Sequence, residues 1–222
     1  MTRKIISIIL KSIVVVASCT GVIIHSVQDN SAMLYFTLQS NIWIGATCAV
    51  AIVLMLLKKP LKVWMFSLKL VFTVSITLTG VVYCSMLAPF LGDQAYTFGS
   101  TLLHVVVPLL SVADFFVYDC QVRYRKWECL TVTVPPFYYL IFAGIGYALK
   151  WDFGYGGQTY PYFFLNWGSP AGAFGFSSES PYMGVFYYVL ILLAFVIGVG
   201  ALYIWIANYT QRKKLTAAQT AE

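Results

Sequence analysis

One threonine and one histidine carry the chemistry that this sequence offers. Thr37 stands in YFTLQSN (35–41), which sets Thr37, Gln39, Ser40 and Asn41 at the head of a long apolar segment. His104 stands in LLHVVVPLLSVADFF (102–116), inside another such segment. A hydroxyl beside a base is the minimal geometry of an activated nucleophile: the base removes the proton as the oxygen attacks an electrophilic carbon. Thr37 and Asn41 are one helical turn apart and share a face, with Ser40 beside them. The same residue types also tie transmembrane helices together by hydrogen bonds. Residue type alone therefore leaves a structural reading open for the stripe and for His104.

The elements that must position these residues are membrane spans. The chain has 222 residues, is 60% hydrophobic and only 10% charged, and its mean hydropathy is +0.79, values far from those of a soluble domain. A hydrocarbon core of about 30 Å needs about 20 mostly apolar residues per helix. Six segments qualify, approximately 5–26, 34–57, 63–88, 101–118, 130–149 and 182–207. The expected fold is all-α, a six-helix transmembrane bundle forming a single domain over 1–222. Residues 150–181, rich in Gly, Pro and aromatics, read as an ordered capping loop, and 215–222 as a flexible tail. Arg3 and Lys4, then Lys58, Lys59 and Lys62, then Arg123, Arg125 and Lys126, then Arg212, Lys213 and Lys214 all fall on one side, whereas the opposite loops hold only Lys150. The positive-inside rule then puts both termini in the cytoplasm of a multi-pass protein of the cell (inner) membrane. Lys11, within the first apolar run, argues that this run is a retained span and not a cleaved signal.

In this frame Thr37 and His104 each lie three residues into their spans, about 4.5 Å from the outer end. They share a depth. Thr37 also falls in the first turn of its helix, where free N–H groups and the positive dipole end favour a developing oxyanion. Asp114 lies ten residues beyond His104 on the same helix, about 15 Å deeper, and cannot orient it. Its depth matches that of Lys69 on the third span, which predicts a structural Lys69–Asp114 ion pair. Pro108, four residues after His104, removes a helix hydrogen bond and predicts a kink that opens a cavity. His25 reads as an interfacial residue at the outer end of the first span.

Other chemistries find no footing. The chain has no GxSxG, HExxH, P-loop or dinucleotide fingerprint. Two histidines without a carboxylate cluster predict no metal and no cofactor. Its five cysteines form neither a disulfide framework nor a metal spacing. The net charge of +6 is accounted for by the flanks of the spans, leaving no nucleic-acid surface.

Three stretches taken together, YFTLQSN (35–41), LLHVVVPLLSVADFF (102–116) and YPYFFLNW (160–167), resemble the bacterial six-span relatives of the androgen-induced and androgen-dependent TFPI-regulating membrane proteins. The resemblance implies an intramembrane threonine hydrolase of fatty acid esters of hydroxy fatty acids, with Thr37 as nucleophile and His104, followed by Pro108, as base. Phe163 and Asn166 stand where the bacterial pattern has a second proline and an aspartate, so no acid is carried over from that loop. The expected activity is cleavage of a lipid ester through an acyl-threonine. Ser40, Asn41 and Gln39 are supporting or oxyanion candidates, and the loop with Tyr160, Pro161, Tyr162 and Trp167 closes the site. The expected partners are membrane lipids and a lipid-ester substrate, and the sequence sets no oligomeric state. The alternative is a protein that binds or transports a lipid or small solute without cleaving it.

Overall fold

A computed structural model describes residues 2–154 and 156–219, with side chains described through Lys213. Among the described residues there is no strand, only an isolated bridge between Phe176 and Met183. Six helices are long and apolar enough to cross a membrane: α1 (Thr2–Gln28), α2 (Phe36–Leu56), α3 (Val63–Gln94), α4 (Phe98–Gln121), α5 (Glu128–Ala148) and α6 (Val185–Lys213). The protein is a multi-pass membrane protein. Large apolar side chains such as Ile9, Val16, Ile23, Leu109 and Ile191 are exposed on the outside of the bundle, a surface that only lipid makes favourable.

Several boundaries differ from the sequence reading for local reasons. Residues Ala32–Leu34 form a separate 3-10 turn, so α2 begins at Phe36 and Thr37 is its second residue. The Thr97 hydroxyl caps the Ser100 N–H at 3.3 Å, which starts α4 at Phe98. The last helix runs on to Gln219 where a tail was expected from 215, and the remainder of that tail, 220–222, lies outside the described residues.

α1 packs against α2 and α4, and α3 lies against α2, α4, α5 and α6. Small residues make both contacts of α1 close: a Cβ on Gly21 of α1 would stand 2.5 Å from Leu103 of α4, and one on Gly45 of α2 would stand 2.5 Å from Ser18 Oγ of α1. The buried face of α1 carries Ser7, Lys11, Val14, Ala17, Ser18 and Gly21, and through it α1 reaches a charged cluster in the half of the bundle away from Thr37. There Lys11 Nζ lies 2.7 Å from Asp114 Oδ2 and 3.1 Å from Asp119 Oδ2, while Lys69 Nζ lies 2.9 Å from Asp114 Oδ2. Ser7 Oγ donates to Asp114 Oδ1 at 2.6 Å, and Lys69 also touches Cys48 Sγ at 3.1 Å. The depth-matched pair of Lys69 and Asp114 is thus half of a neutral quartet.

The backbones of the body of α5, Val134–Ala148, and of α6 come close at few points. They are joined directly at one end and through the 150–181 loop at the other. At one end Val132 meets Gly200, whose absent side chain would place a Cβ 2.9 Å away. At the other, Phe163 and Phe164 of the 150–181 loop pack on Tyr188, with ring centroids 6.0 Å apart in both pairs.

Candidate active site

The first turn of α2 presents Thr37 to the interior. The Gln39 N–H is the first to bond back, to the Tyr35 carbonyl at 3.3 Å, so the amides of Phe36 and Thr37 have no acceptor within the helix. The Tyr162 hydroxyl, from the capping loop, lies beside this turn, close to the Thr37 side chain and to the backbone of Phe36 and Thr37. The loop reaches this position because its buried Phe153 seats against Gly146 of α5, where a Cβ would stand 2.7 Å from the ring. The Phe153 carbonyl then accepts from the Tyr35 hydroxyl at 2.5 Å and the Ser31 hydroxyl at 2.9 Å. Burial raises the Tyr162 phenol above its ordinary range, so at neutral pH it is an O–H donor.

His104 comes from an irregular stretch of α4. Pro108 has no N–H for the His104 carbonyl four residues back, and just before it Leu102–Val106 form a π-helical turn, in which the Val107 N–H bonds to the Leu102 carbonyl. Gly80 of α3 makes room there: a Cβ would lie 3.0 Å from the His104 carbonyl oxygen and 3.1 Å from the Pro108 ring. α3 carries its own π turn at Tyr83–Leu87. The Tyr83 ring lies flat on the His104 imidazole, with centroids 3.5 Å apart and planes 11° from parallel.

The two nitrogens of His104 have different surroundings. Nδ1 is 2.9 Å from the Ser100 carbonyl oxygen, and Nε2 is 3.4 Å from Thr37 Oγ1. A carbonyl can only accept, so Nδ1 carries the hydrogen and Nε2 presents its lone pair to the threonine hydroxyl. The Ser100 carbonyl therefore fixes tautomer and ring orientation, the task of the third member in a Ser-His-Asp triad.

The other sequence candidates divide into ties and outliers. Ser40 Oγ donates to the Thr37 carbonyl at 3.0 Å and pairs with Thr79 Oγ1 of α3 at 2.8 Å. Asn41 Nδ2 donates to the Thr37 carbonyl at 2.8 Å and to the Leu103 carbonyl of α4 at 3.3 Å. These two residues bind α2 to the helices around it, with their donors directed at backbone and not at a substrate position. Gln39 turns away, its amide donating to the Met33 carbonyl at 3.2 Å. Trp167 packs on Tyr147. Neither it, Tyr160, nor the Gln39–Ser40–Asn41 set lines a cavity at Thr37.

Two spaces meet at Thr37. A chamber of about 480 Å³ is lined by His25, Asp29, Tyr35, Thr37, His104 and Tyr162 among others. A narrow apolar slot of about 80 Å³ runs from Thr37 between α3, α5 and α6. Thr37, Tyr83, Leu87 and Tyr162 belong to both walls. Sequence reasoning missed Tyr83 and the Ser100 carbonyl; a backbone acceptor leaves no mark in residue type. Among the described residues no group of three or more His, Cys, Asp or Glu side chains could hold a metal.

Comparison with family models, with curated proteins and with solved structures finds no match.

Proposed function

We propose that this protein is an intramembrane hydrolase of lipid esters, with Thr37 as nucleophile and His104 as general base. The observation that carries the reading is the imidazole held on the Ser100 carbonyl through Nδ1, with Nε2 3.4 Å from the Thr37 hydroxyl. That separation is longer than a formed hydrogen bond, as catalytic contacts often are before substrate binds.

In the first step His104 Nε2 takes the Thr37 proton as Oγ1 attacks the ester carbonyl. The Tyr162 O–H, which lies beside the Thr37 hydroxyl, donates to the oxyanion. Collapse expels the alkoxide, which takes the proton from His104, and leaves an acyl-threonine. Water from the chamber then gives a proton to His104 and attacks the acyl carbon; the fatty acid departs and the proton returns to Thr37. Fatty acid esters of hydroxy fatty acids are the substrates that the motif resemblance favours. The basic flanks of the spans favour cytoplasmic termini in the cell membrane, which puts the chamber at the outer face.

The test is hydrolysis of a panel of lipid esters, including a fatty acid ester of a hydroxy fatty acid, by detergent-purified protein. Thr37→Val should abolish turnover, His104→Ala should lower it by about 10²–10⁴-fold, and Thr37→Ser should retain part of it. Lipid binding without cleavage, or equal turnover by folded Thr37→Val, would replace the hydrolase by a lipid-binding or transport protein.

A further inference from the structure

The slot that leaves Thr37 lies in the part of the bundle surrounded by acyl chains. Its walls are Phe36, Leu78, Leu140, Val189 and Leu192, with few polar atoms near Thr37 itself. It lies between Pro136 and Leu140 of α5 and Val189 and Leu193 of α6, where the two backbones come close at few points, with the Val132–Gly200 contact towards one end and the Phe163 and Phe164 packing on Tyr188 towards the other. Phe137 at its rim is 46% exposed. We infer that the opening between α5 and α6 is a side portal through which a single unbranched acyl chain passes from the bilayer into the slot, placing its ester carbonyl at Thr37 while the polar remainder occupies the chamber.

Size and polarity assign the two halves of the ligand. A slot of about 80 Å³ with apolar walls takes a methylene chain and rejects a headgroup, whereas the chamber of about 480 Å³ has His25, Asp29 and Gln158 in its wall. The chain exchanges one apolar surrounding for another and needs no transfer through water. The ester is the only group that must reach the polar junction. The specificity that follows is for the acyl side: long, straight chains are accepted, and chains branched near the carbonyl are excluded by Leu140 and Leu192. This inference rests on the proposed Thr37 chemistry only for its kinetic readout.

The experiment compares a long-chain acyl ester with the acetyl ester of the same alcohol, in detergent-purified wild type, Leu192→Trp and Leu192→Ala. Leu192→Trp should lower kcat/KM for the long chain by about tenfold or more relative to that for the acetyl ester, because acetate does not extend into the slot. Leu192→Ala should keep long-chain turnover and also cleave a third ester of that alcohol, with an acyl chain branched beside the carbonyl, which the wild type should not cleave. In parallel, Thr37→Val protein is photolabelled with a long-chain ester bearing a diazirine at mid-chain; the label should fall on α5 and α6 at Pro136, Leu140, Val189 or Leu193. Equal losses for both esters in Leu192→Trp, or label confined to Phe90 and Leu91 of the chamber wall, would overturn the portal. If wild type cleaves neither ester, the Thr37 chemistry fails while the position of the label still decides the portal.

Discussion

Replacing Asp114 by Asn tests whether charge balance holds together the half of the bundle away from Thr37. The wild-type quartet carries two cations, Lys11 and Lys69, and two carboxylates, Asp114 and Asp119, and is neutral. Asp114 touches both lysines, so Asp114→Asn leaves one buried positive charge with no counterion and weakens the anchorage of both ammonium groups. Lys11 and Lys69 are 1% and 2% exposed and cannot turn to solvent. Breaking a buried pair in this way costs about 3–5 kcal/mol, and at about 2–4 °C per kcal/mol for a chain of this length the midpoint of thermal unfolding should fall by roughly 6–20 °C. Adding Lys69→Met restores neutrality, because Lys11 and Asp119 remain paired at 3.1 Å. The double variant should therefore be more stable than Asp114→Asn alone, with a coupling of about 1–3 kcal/mol. The assay is unfolding in mild detergent, followed by tryptophan fluorescence, for wild type, both single variants and the double. A double variant less stable than Asp114→Asn would refute the argument, since packing and not charge would then hold the cluster. Ester turnover per folded molecule should be unchanged, because Asp114 lies about 15 Å along α4 from His104.

Two further substitutions probe the site at Thr37. Tyr162→Phe removes the O–H proposed to meet the oxyanion and should lower kcat by about 10²–10³-fold with little change in ester binding; near-normal turnover would take Tyr162 out of the chemistry. Gly80→Ala places a methyl 3.0 Å from the His104 carbonyl oxygen and 3.1 Å from Pro108, so α3 and α4 must separate. It should cost about 1–3 kcal/mol of stability and on the order of tenfold in kcat as His104 shifts, whereas a stable, fully active variant would show that this close approach does not position the histidine.

The spans were legible because apolar runs of membrane length leave few alternatives, and the approach of His104 to Thr37 was legible because both stood near same-side ends of their runs. Depth also suggested Lys69 beside Asp114. It did not suggest Lys11, which the packing of α1 on α4 brings to Asp114, or Asp119, which stands further along α4 and meets Lys11. The boundaries of α2 and α4 moved because a 3-10 turn and a threonine cap set them, local events that hydropathy does not register. The roles of Ser40 and Asn41 changed for a related reason: sequence placed them on the face of Thr37, and only the packing of α3 and α4 shows their donors engaged with neighbouring helices. Tyr162 reached Thr37 through the seating of Phe153 against Gly146, a long-range fit between a loop and a helix for which spacing gives no signal.

The π turn at Leu102–Val106 has a rotational consequence. Each residue of an α-helix advances its successors by about 100° around the axis, and the π turn takes up one residue without that advance, so the same sequence wound as plain α-helix would swing the His104 end of α4 by about that angle relative to Asp114. The histidine would leave the threonine while the quartet stayed in phase. The extra residue lets one helix satisfy two azimuths at once, one set by ion pairing at Asp114 and one by the hydroxyl of Thr37.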